Sequence, residues 1–322
     1  MPRLKVLSML SLATSLVVPA AFAQPTNTAR PGTVNYVEGQ ATLNGQALAA
    51  KSSGAELAQG QTIETQNGKV EILLTPGVFL RVGDSSAVTM VSPDLAKTEI
   101  RLDRGTAEIE VDQIFKQNDL LVDEGSAQTK LMKNGLYEFD ANTGSVRVFD
   151  GEAEVSLNPD SKPIKVKGHH VFTLAEANEK PQSFDADEYA KNDALYSWSK
   201  LRADYLGQAN QELAEQYAGQ PGIYPGWFWN PGLYAYTWLP GDGLFWSPFG
   251  YGFYSPYYIY GGGFIYPHYT IRRGYVHEPY RGGYIHRGGY IGHRGFEGRH
   301  VMPAPHAPAG GGMRGGFHRG WR

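Results

Sequence analysis

The amino-acid sequence predicts a mainly β protein, either a β-sandwich or a β-roll of short hairpins, followed by one long amphipathic helix and a low-complexity C-terminal tail. Three observations lead to this prediction. Apolar residues recur at every second position through much of 60–174, their spacing changes to three and four residues after 184, and glycine and arginine dominate after 270. These changes divide the chain into a signal peptide (1–23), a linker (24–31), a β domain (32–183), an amphipathic helix (184–219), an aromatic segment (220–270) and a tail expected to be disordered (271–322).

The first residues have the pattern of a secretory signal peptide. Arg3 and Lys5 precede an apolar run over 6–18, and the A-x-A triplet at 21–23 offers a cleavage site. The run is shorter than the roughly 20 residues that a spanning helix needs, so we expect cleavage after Ala23, with retention as an anchor as the alternative. The mature protein is therefore expected to be secreted or periplasmic, without a transmembrane helix.

The absence of cysteine excludes several classes of function, and the charge is unevenly distributed along the chain. The chain of 322 residues contains no cysteine, which rules out thiol catalysis, cysteine-ligated metals and disulfides. Residues 24–220 contain 29 acidic and 18 basic residues, a net charge of −11, whereas 271–322 contain nine arginines and two glutamates, a net charge of +7. The overall charge of −3 therefore combines two parts of opposite charge.

The β domain is predicted from alternation and turn signals. Apolar residues at every second position, as in 70–74, are typical of half-buried antiparallel strands. The Asn-Gly pair at 67–68 is expected to form a two-residue hairpin, and the Pro-Gly pair at 76–77 the next reversal. Glu108 and Glu110 alternate with apolar residues, so we expect them to face solvent rather than to form an active site.

Several motifs of this domain are similar to those of a known family. Val37-Glu38-Gly39 leads to an Asn-Gly pair at 44–45, a Gly-x-x-Ile-x-Thr step begins at Gly60, and VEILLTPGVFLRVGDSSAV and IRLDRGTAEIEV follow. Over roughly 32–174 the sequence resembles the FecR domain of bacterial envelope proteins. SWSKLRADYLGQAN and WFWNPGLYAYTWLPGDGLFWSPFGYGFYSP also resemble segments that accompany FecR domains in exported proteins with an aromatic, glycine-rich C-terminal region. These motifs are apolar and glycine patterns, so they indicate a fold better than an activity.

The resemblance implies an all-β periplasmic module. FecR proteins in the narrow sense are inner-membrane regulators, in which a cytoplasmic N-terminal segment controls a sigma factor and the periplasmic domain receives a signal from an outer-membrane transporter. This sequence resembles the periplasmic part alone, and five residues precede its apolar run. We therefore expect a non-enzymatic binding or scaffold module of the cell envelope, with a periplasmic sensory component as the alternative.

A capped helix is predicted after residue 184. Asp185 can cap its N-terminus, Glu188 can reach back to the cap, and Phe184 can pack on Tyr189. The predicted apolar face consists of Leu195, Trp198, Leu201, Tyr205, Ala209 and Leu213. Such a face is expected to cover the β domain, and binding of a partner is the alternative.

The aromatic segment is unusual in composition, because 19 of the 40 aromatic residues of the chain lie between 223 and 270. Its Gly and Pro residues favour turns, and its rings are expected to pack on the helix and the sheet. A stacking surface for sugar rings or another envelope polymer is one alternative, and insertion at a lipid interface is another. The candidate stacking residues are Trp227, Trp229, Trp238 and Trp246.

The tail is too rich in glycine and too poor in aliphatic residues to form a core. Arginine mixed with tyrosine and glycine is typical of proteins that bind single-stranded RNA, but export makes nucleic acid an unexpected partner. A cationic tail is better suited to anionic lipid, lipopolysaccharide or acidic polysaccharide, and a solvated tail or attraction to the acidic β domain are the alternatives. The candidate residues are Arg272, Arg273, Arg281, Arg287 and Arg294.

The sequence contains no recognisable catalytic motif: a nucleophile elbow, a phosphate-binding loop and an H-E-x-x-H helix are all lacking. Seven of the nine histidines lie between 268 and 318, at spacings that match no compact metal site. We therefore expect no enzymatic activity, no cofactor and no metal. An envelope protein or a polysaccharide is the expected partner.

Overall fold

A computed structural model describes residues 29–49, 54–175 and 180–261. The protein is mostly β, with one large mixed sheet and one long helix. The chain divides into two compact units, Met1–Tyr266 and Pro267–Arg322, and all described residues belong to the first. The predicted signal peptide, most of the linker and the tail lie outside the described residues.

Fifteen strands form the large sheet. Their bounds are β1 (Thr33–Leu43), β2 (Gln46–Leu48), β3 (Thr62–Leu73), β4 (Val78–Val82), β5 (Ala87–Pro93), β6 (Lys97–Arg104), β7 (Thr106–Val111), β8 (Asp119–Glu124), β9 (Ala127–Leu131), β10 (Gly135–Asp140), β11 (Ser145–Asp150), β12 (Glu152–Ser156), β13 (Ile164–Lys167), β14 (His170–Thr173) and β15 (Gln182–Ser183). Hydrogen bonds connect them in the order β13-β12-β9-β8-β6-β5-β3-β4-β7-β10-β11-β14-β15, and β1 pairs with β2 and β3. The β6–β8 pair is parallel, which makes the sheet mixed.

One face of the sheet encloses a single hydrophobic core. Val166 of β13 and Phe172 of β14, near opposite ends of the hydrogen-bonded order, belong to the same cluster of buried side chains as Ile72 of β3 and Leu80 of β4. The sheet must therefore fold over on itself. Because one continuous sheet surrounds this core, the architecture is a roll rather than a sandwich of two separate sheets.

The Asn-Gly pair at 67–68 does not form a hairpin, so this prediction is wrong. Both residues lie inside β3, and Gly68 pairs with Gly39 beside an irregularity in the β1–β3 register. A Cβ atom at position 68 would lie 2.5 Å from the carbonyl oxygen of Glu38 and 2.5 Å from the amide nitrogen of Gln40. The close approach of two backbones, not a turn, therefore requires glycine at this position.

Two helices occupy the region where one was predicted. Their bounds are α1 (Ala186–Asn192) and α2 (Ala194–Gln216). The side chain of Asp185 accepts a hydrogen bond from the amide of Glu188, and the side chain of Asp193 accepts one from the amide of Tyr196. Asp193 has an extended backbone, with φ −91° and ψ 120°, as the N-cap of a new helix requires. The predicted continuous helix is therefore interrupted at Asp193.

The buried face of α2 also differs from the predicted stripe. Leu201 and Tyr205 are 48% and 42% exposed, whereas Arg202 and Leu206 are buried. Hydropathy alone cannot assign an arginine to a buried position. Arg202 faces the sheet because it pairs there with a buried carboxylate, and this pairing turns Leu201 and Tyr205 towards solvent.

The aromatic segment forms two small hairpins and a short helix. Their bounds are β16 (Gly226–Asn230), β17 (Ala235–Leu239), β18 (Leu244–Trp246), β19 (Gly252–Tyr254) and α3 (Pro256–Tyr260). Trp238 and Phe253 pack with Leu206 of α2 and with Leu73 and Phe79 of the sheet in a second apolar cluster. This cluster attaches the segment to the outer face of the sheet. No helix in the described ranges is both long and apolar enough to cross a membrane.

We predict that Gly68→Ala lowers the free energy of unfolding by about 1–3 kcal/mol, because the added methyl group overlaps the backbone of β1. Gly168→Ala is the matched control, since a Cβ atom at position 168 meets neighbours at 3.5 Å or more. We expect the control to change the stability by less than about 1 kcal/mol. Urea unfolding of the unaltered protein and of the two variants measures both effects. Equal stabilities of the two variants would contradict the close approach of the β1 and β3 backbones.

Candidate functional site

The outer face of the sheet carries charged side chains that α2 and the aromatic segment cover. In β4, Leu80 and Val82 belong to the core and Arg81 lies between them on the opposite face. The buried charged layer consists of Glu71, Arg81, Glu108, Glu110, Asp112, Glu138 and Arg202, together with the half-buried Arg147. The expectation that Glu108 and Glu110 face solvent is wrong, because the covering elements bury both side chains completely.

Glu71 of β3 lies at the centre of this layer. It accepts hydrogen bonds from Arg202 Nη2 at 2.8 Å, from Arg81 Nε at 3.0 Å and from Asn35 Nδ2 at 2.9 Å. Burial alone raises the pKa of Glu71, but Arg202 and Arg81 outweigh it and hold the pKa below its usual value. Arg202 also lies over the ring of Tyr36, 4.1 Å from the ring centre. The Glu71–Arg202 pair therefore fixes α2 to the sheet.

Arg81 extends this network to the aromatic segment. Its Nη1 donates to Glu110, and its guanidinium lies 5.4 Å from the ring centre of Phe79 and 6.0 Å from that of Phe249. Glu110 in turn accepts a hydrogen bond from the hydroxyl of Ser247. Burial lowers the pKa of Arg81, but Glu110 and Glu71 outweigh it and raise the pKa above its usual value. One connected set of polar contacts thus joins α2, the sheet and the aromatic segment.

A second pair lies where α1 meets the sheet. Arg147 of β11 donates to Glu138 of β10, and its guanidinium stacks on Tyr189 of α1, 3.8 Å from the ring centre. The hydroxyl of Tyr189 donates to the same carboxylate at 2.8 Å. Burial raises the pKa of Glu138 to about 7, although Arg147 counteracts it. Arg147 and Tyr189 line a pocket of about 490 Å³ with Phe184 and Asp193.

Glu108 and Asp112 are buried, and neither forms a salt bridge within the described residues. No oxygen of either carboxyl group has a hydrogen-bond partner within the part of the chain that the structure describes. Burial raises the pKa of Glu108 well above its usual value, and Glu138 adds to this effect. Burial and the neighbouring Glu110 likewise raise the pKa of Asp112 above its usual value. Burial thus shifts both groups towards their protonated form.

Two asparagines bind the backbone of the aromatic segment. Asn35 of β1 accepts from the amide of Tyr236 at 2.6 Å and donates to its carbonyl at 2.9 Å. Asn210 of α2 donates to the carbonyl of Trp238 at 2.8 Å and accepts from the amide of Tyr254 at 2.6 Å. These side chains satisfy buried backbone groups of β17 and β19 that would otherwise lack partners. They hold the segment in one position on the sheet and α2.

The four predicted tryptophans divide into two classes. Trp238 is fully buried, and Trp227 is buried against Phe79, with the ring centres 5.1 Å apart. Neither presents a ring face at the surface. Trp229 is 36% exposed and Trp246 is 60% exposed, so these two remain available for stacking.

Exposed rings are concentrated in the aromatic segment. The described part of the chain has eleven large apolar side chains that are exposed, and six of them lie between 224 and 260. These six are Tyr224, Trp229, Tyr234, Trp246, Tyr257 and Tyr260. The ring of Trp229 is held edge-on between Tyr234 and Tyr236, with centres 5.2 and 5.1 Å away. Tyr257 and Tyr260 line a pocket of about 280 Å³ together with Tyr217, Ile223, Pro240 and Pro256.

The chemistry of these surfaces favours binding by apolar and stacking contacts. Within the described ranges, no group of three or more histidine, aspartate or glutamate side chains could hold a metal ion. The predicted arginines Arg272, Arg273, Arg281, Arg287 and Arg294 lie outside the described residues. The buried charged layer was not found by sequence reasoning, and charged residues at alternate strand positions were its only sequence signal.

Comparisons with known proteins give little further information. No protein-family profile and no curated protein sequence matches the chain. Two crystal structures of a protein described as a "putative anti-sigma factor" from Parabacteroides distasonis are similar to it, each at 14% identity, with TM-scores of 0.33 and 0.34. The matches cover 39% and 40% of this chain, and the chain spans 60% and 63% of those structures. At these TM-scores the similarity supports no inference about function.

We predict that Arg202→Met lowers the free energy of unfolding by about 3–5 kcal/mol, because Glu71 then remains buried without one of its two cationic partners. Arg104→Met is the control, since Arg104 forms an exposed pair with Glu64 and should contribute less than about 1 kcal/mol. Adding Glu71→Gln to Arg202→Met should recover part of the loss. Thermal or urea unfolding measures all three, and equal effects of the two arginine substitutions would contradict the central role of Glu71.

Proposed function

We propose that this chain is an exported, non-enzymatic, FecR-like binding module of the bacterial cell envelope, which binds a polysaccharide through the exposed rings of its aromatic segment. The observation that carries the proposal is the concentration of exposed aromatic side chains in one firmly attached segment. Trp227 and Trp238 anchor the β16–β17 hairpin by burial, while Trp229 of that hairpin and Trp246 of the β18–β19 hairpin remain exposed.

Exposed aromatic rings that are held in fixed positions are suited to binding a polysaccharide. A monomeric protein rarely leaves many large rings exposed without a binding role, because their exposure is unfavourable in water. Aromatic side chains have few rotatable bonds, and the neighbours of Trp229 restrict its ring further. A polymer can engage several such rings at once, so that weak individual contacts add to a useful affinity.

The cationic segment 271–322 supports a second part of the proposal. Its net charge of +7 is opposite to that of the anionic lipids, lipopolysaccharides and acidic polysaccharides of an envelope. We propose that Arg272, Arg273, Arg281, Arg287 and Arg294 contact such a component, so that the rings select the polymer and the arginines retain the protein near it.

We predict that replacing exposed rings weakens polysaccharide binding without unfolding the protein. The double variants Trp229→Ala/Trp246→Ala and Tyr257→Ala/Tyr260→Ala should each reduce affinity about tenfold or more, because each lost ring contact removes on the order of 1 kcal/mol. Leu95→Ala, at an exposed apolar side chain outside the segment, should have no effect. Affinity electrophoresis in gels containing neutral or acidic polysaccharide measures the change. Unchanged migration of both double variants would contradict the proposal.

We predict that deletion of 271–322 abolishes salt-sensitive association with the envelope. The full chain should be released from isolated envelopes at high salt, because the arginine contacts are screened, and the truncated chain should be soluble at both salt concentrations. A variant with the five named arginines replaced by glutamine is the control that keeps the length of the chain. Salt-independent retention of both the full and the truncated chain would contradict the electrostatic contact and leave the aromatic surface to account for the binding.

A further inference from the structure

The buried charged layer contains more acidic than basic groups. Among the described residues it includes five carboxyl groups and three guanidinium groups, all between the sheet and the elements that cover it. Three guanidinium groups can balance three carboxylates, so two carboxyl groups are in excess. Burial of an uncompensated carboxylate is strongly unfavourable, whereas burial of a neutral carboxylic acid is much less so.

The positions of the unpaired groups agree with this balance. Glu71 and Glu110 accept from Arg81, Glu71 also accepts from Arg202, and Glu138 accepts from Arg147. Glu108 and Asp112 are the two carboxyl groups of the layer without a hydrogen-bond partner in the described ranges.

The charged and polar neighbours of Glu108, Asp112 and Glu138 belong both to the sheet and to the helices that cover it. Glu108 is influenced by Ser199, Glu138, Arg81 and Asp193, Asp112 by Glu110 and Arg81, and Glu138 by Arg147, Asp193, Tyr189 and Asp140. Acidic neighbours outnumber basic ones around Glu108 and Glu138, and Asp112 has one neighbour of each sign. Burial is the largest effect and opposes ionisation of all three groups, whereas their named neighbours divide evenly between those that oppose ionisation and those that favour it.

We propose that this layer is a pH-sensitive attachment: Glu108 and Asp112 carry protons while α2 and the aromatic segment lie on the sheet, and their ionisation at higher pH loosens these elements. The change in pH acts on the buried charged layer and not on the exposed rings. The proposal therefore does not depend on polysaccharide binding.

The direction of the effect follows from the proton balance. A carboxyl group whose pKa is raised in the attached state binds more protons there than in the loosened state, so attachment weakens as the pH rises. This loss begins above the ordinary values of 4.5 for glutamate and 3.8 for aspartate and continues as the pH rises through the raised pKa values of Glu108 and Asp112. Glu71 acts in the opposite sense, because its pKa is lowered and its contribution is lost only as the pH falls below 4.5. Attachment should thus be tightest at mildly acidic pH.

Hydrogen exchange of the full chain at pH 5.5, 7.0 and 8.5 tests the proposal, with rates corrected for the intrinsic effect of pH. We expect the protection of amides in α2 and β17 to fall at least about tenfold between pH 5.5 and 8.5. Amides of β5 and β6, which contribute to the inner core, should keep their protection. Constant protection of α2 and β17, or a parallel fall in every strand, would overturn the proposal, because the second outcome indicates global destabilisation.

A set of variants assigns the effect to the layer. The double variant Glu108→Gln/Asp112→Asn removes both excess acidic groups while keeping their shapes, and it should reduce the pH-dependent change in protection about tenfold. Glu64→Gln, at an exposed position of β3, should leave the change as it is in the unaltered protein. Protection at pH 5.5 shows whether each variant is folded, and the single variants Glu108→Gln and Asp112→Asn provide second probes if the double variant is not. Full pH dependence in folded variants of both kinds would overturn the proposal.

Discussion

Charge compensation at Glu71 is the constraint on which the arrangement of this molecule depends. A fully buried carboxylate on the outer face of a sheet requires cationic partners, and it has one on the neighbouring strand and one on a helix far along the chain. The second partner, Arg202, determines which side of α2 faces the sheet. That rotation brings Leu206 and Asn210 towards the aromatic segment and leaves Leu201 and Tyr205 in solvent.

The aromatic segment is attached by two different kinds of contact. Buried rings around Trp238 supply an apolar contact that has little directional preference, whereas Asn35 and Asn210 bind particular backbone groups and so fix the register. Because the segment has no strand in the large sheet, its orientation rests on these side chains. The exposed rings therefore lie on a segment whose orientation on the sheet and α2 is fixed.

The sequence was sufficient to predict the β architecture, since short strands with alternating apolar residues leave few other folds. It could not show which face of the sheet meets water. Glu108 and Glu110 have the same alternation whether they face solvent or a helix, and only the position of α2 decides between the two.

Other parts of the candidate site could be predicted to different degrees. The Asn-Gly pair at 67–68 has a strong local preference for a turn, but pairing with β1 over the length of β3 outweighs it. Alternation within β16 could not have separated buried Trp227 from exposed Trp229, because residues two positions apart lie on the same face of a strand. The position of Arg202 could not be predicted, since hydropathy assigns arginine to the surface.

The charged outer face also has a consequence for the folding chain. Asn35 binds Tyr236, a residue 201 positions later, so the sheet can form before the segment that covers it is in place. An uncovered apolar face would at that stage promote aggregation. A face that carries eight ionisable side chains is instead hydrated, and its excess of carboxylates makes two such intermediates repel one another. The side chains that form the buried charged layer of the finished protein thus make this face polar as long as α2 and the aromatic segment do not cover it.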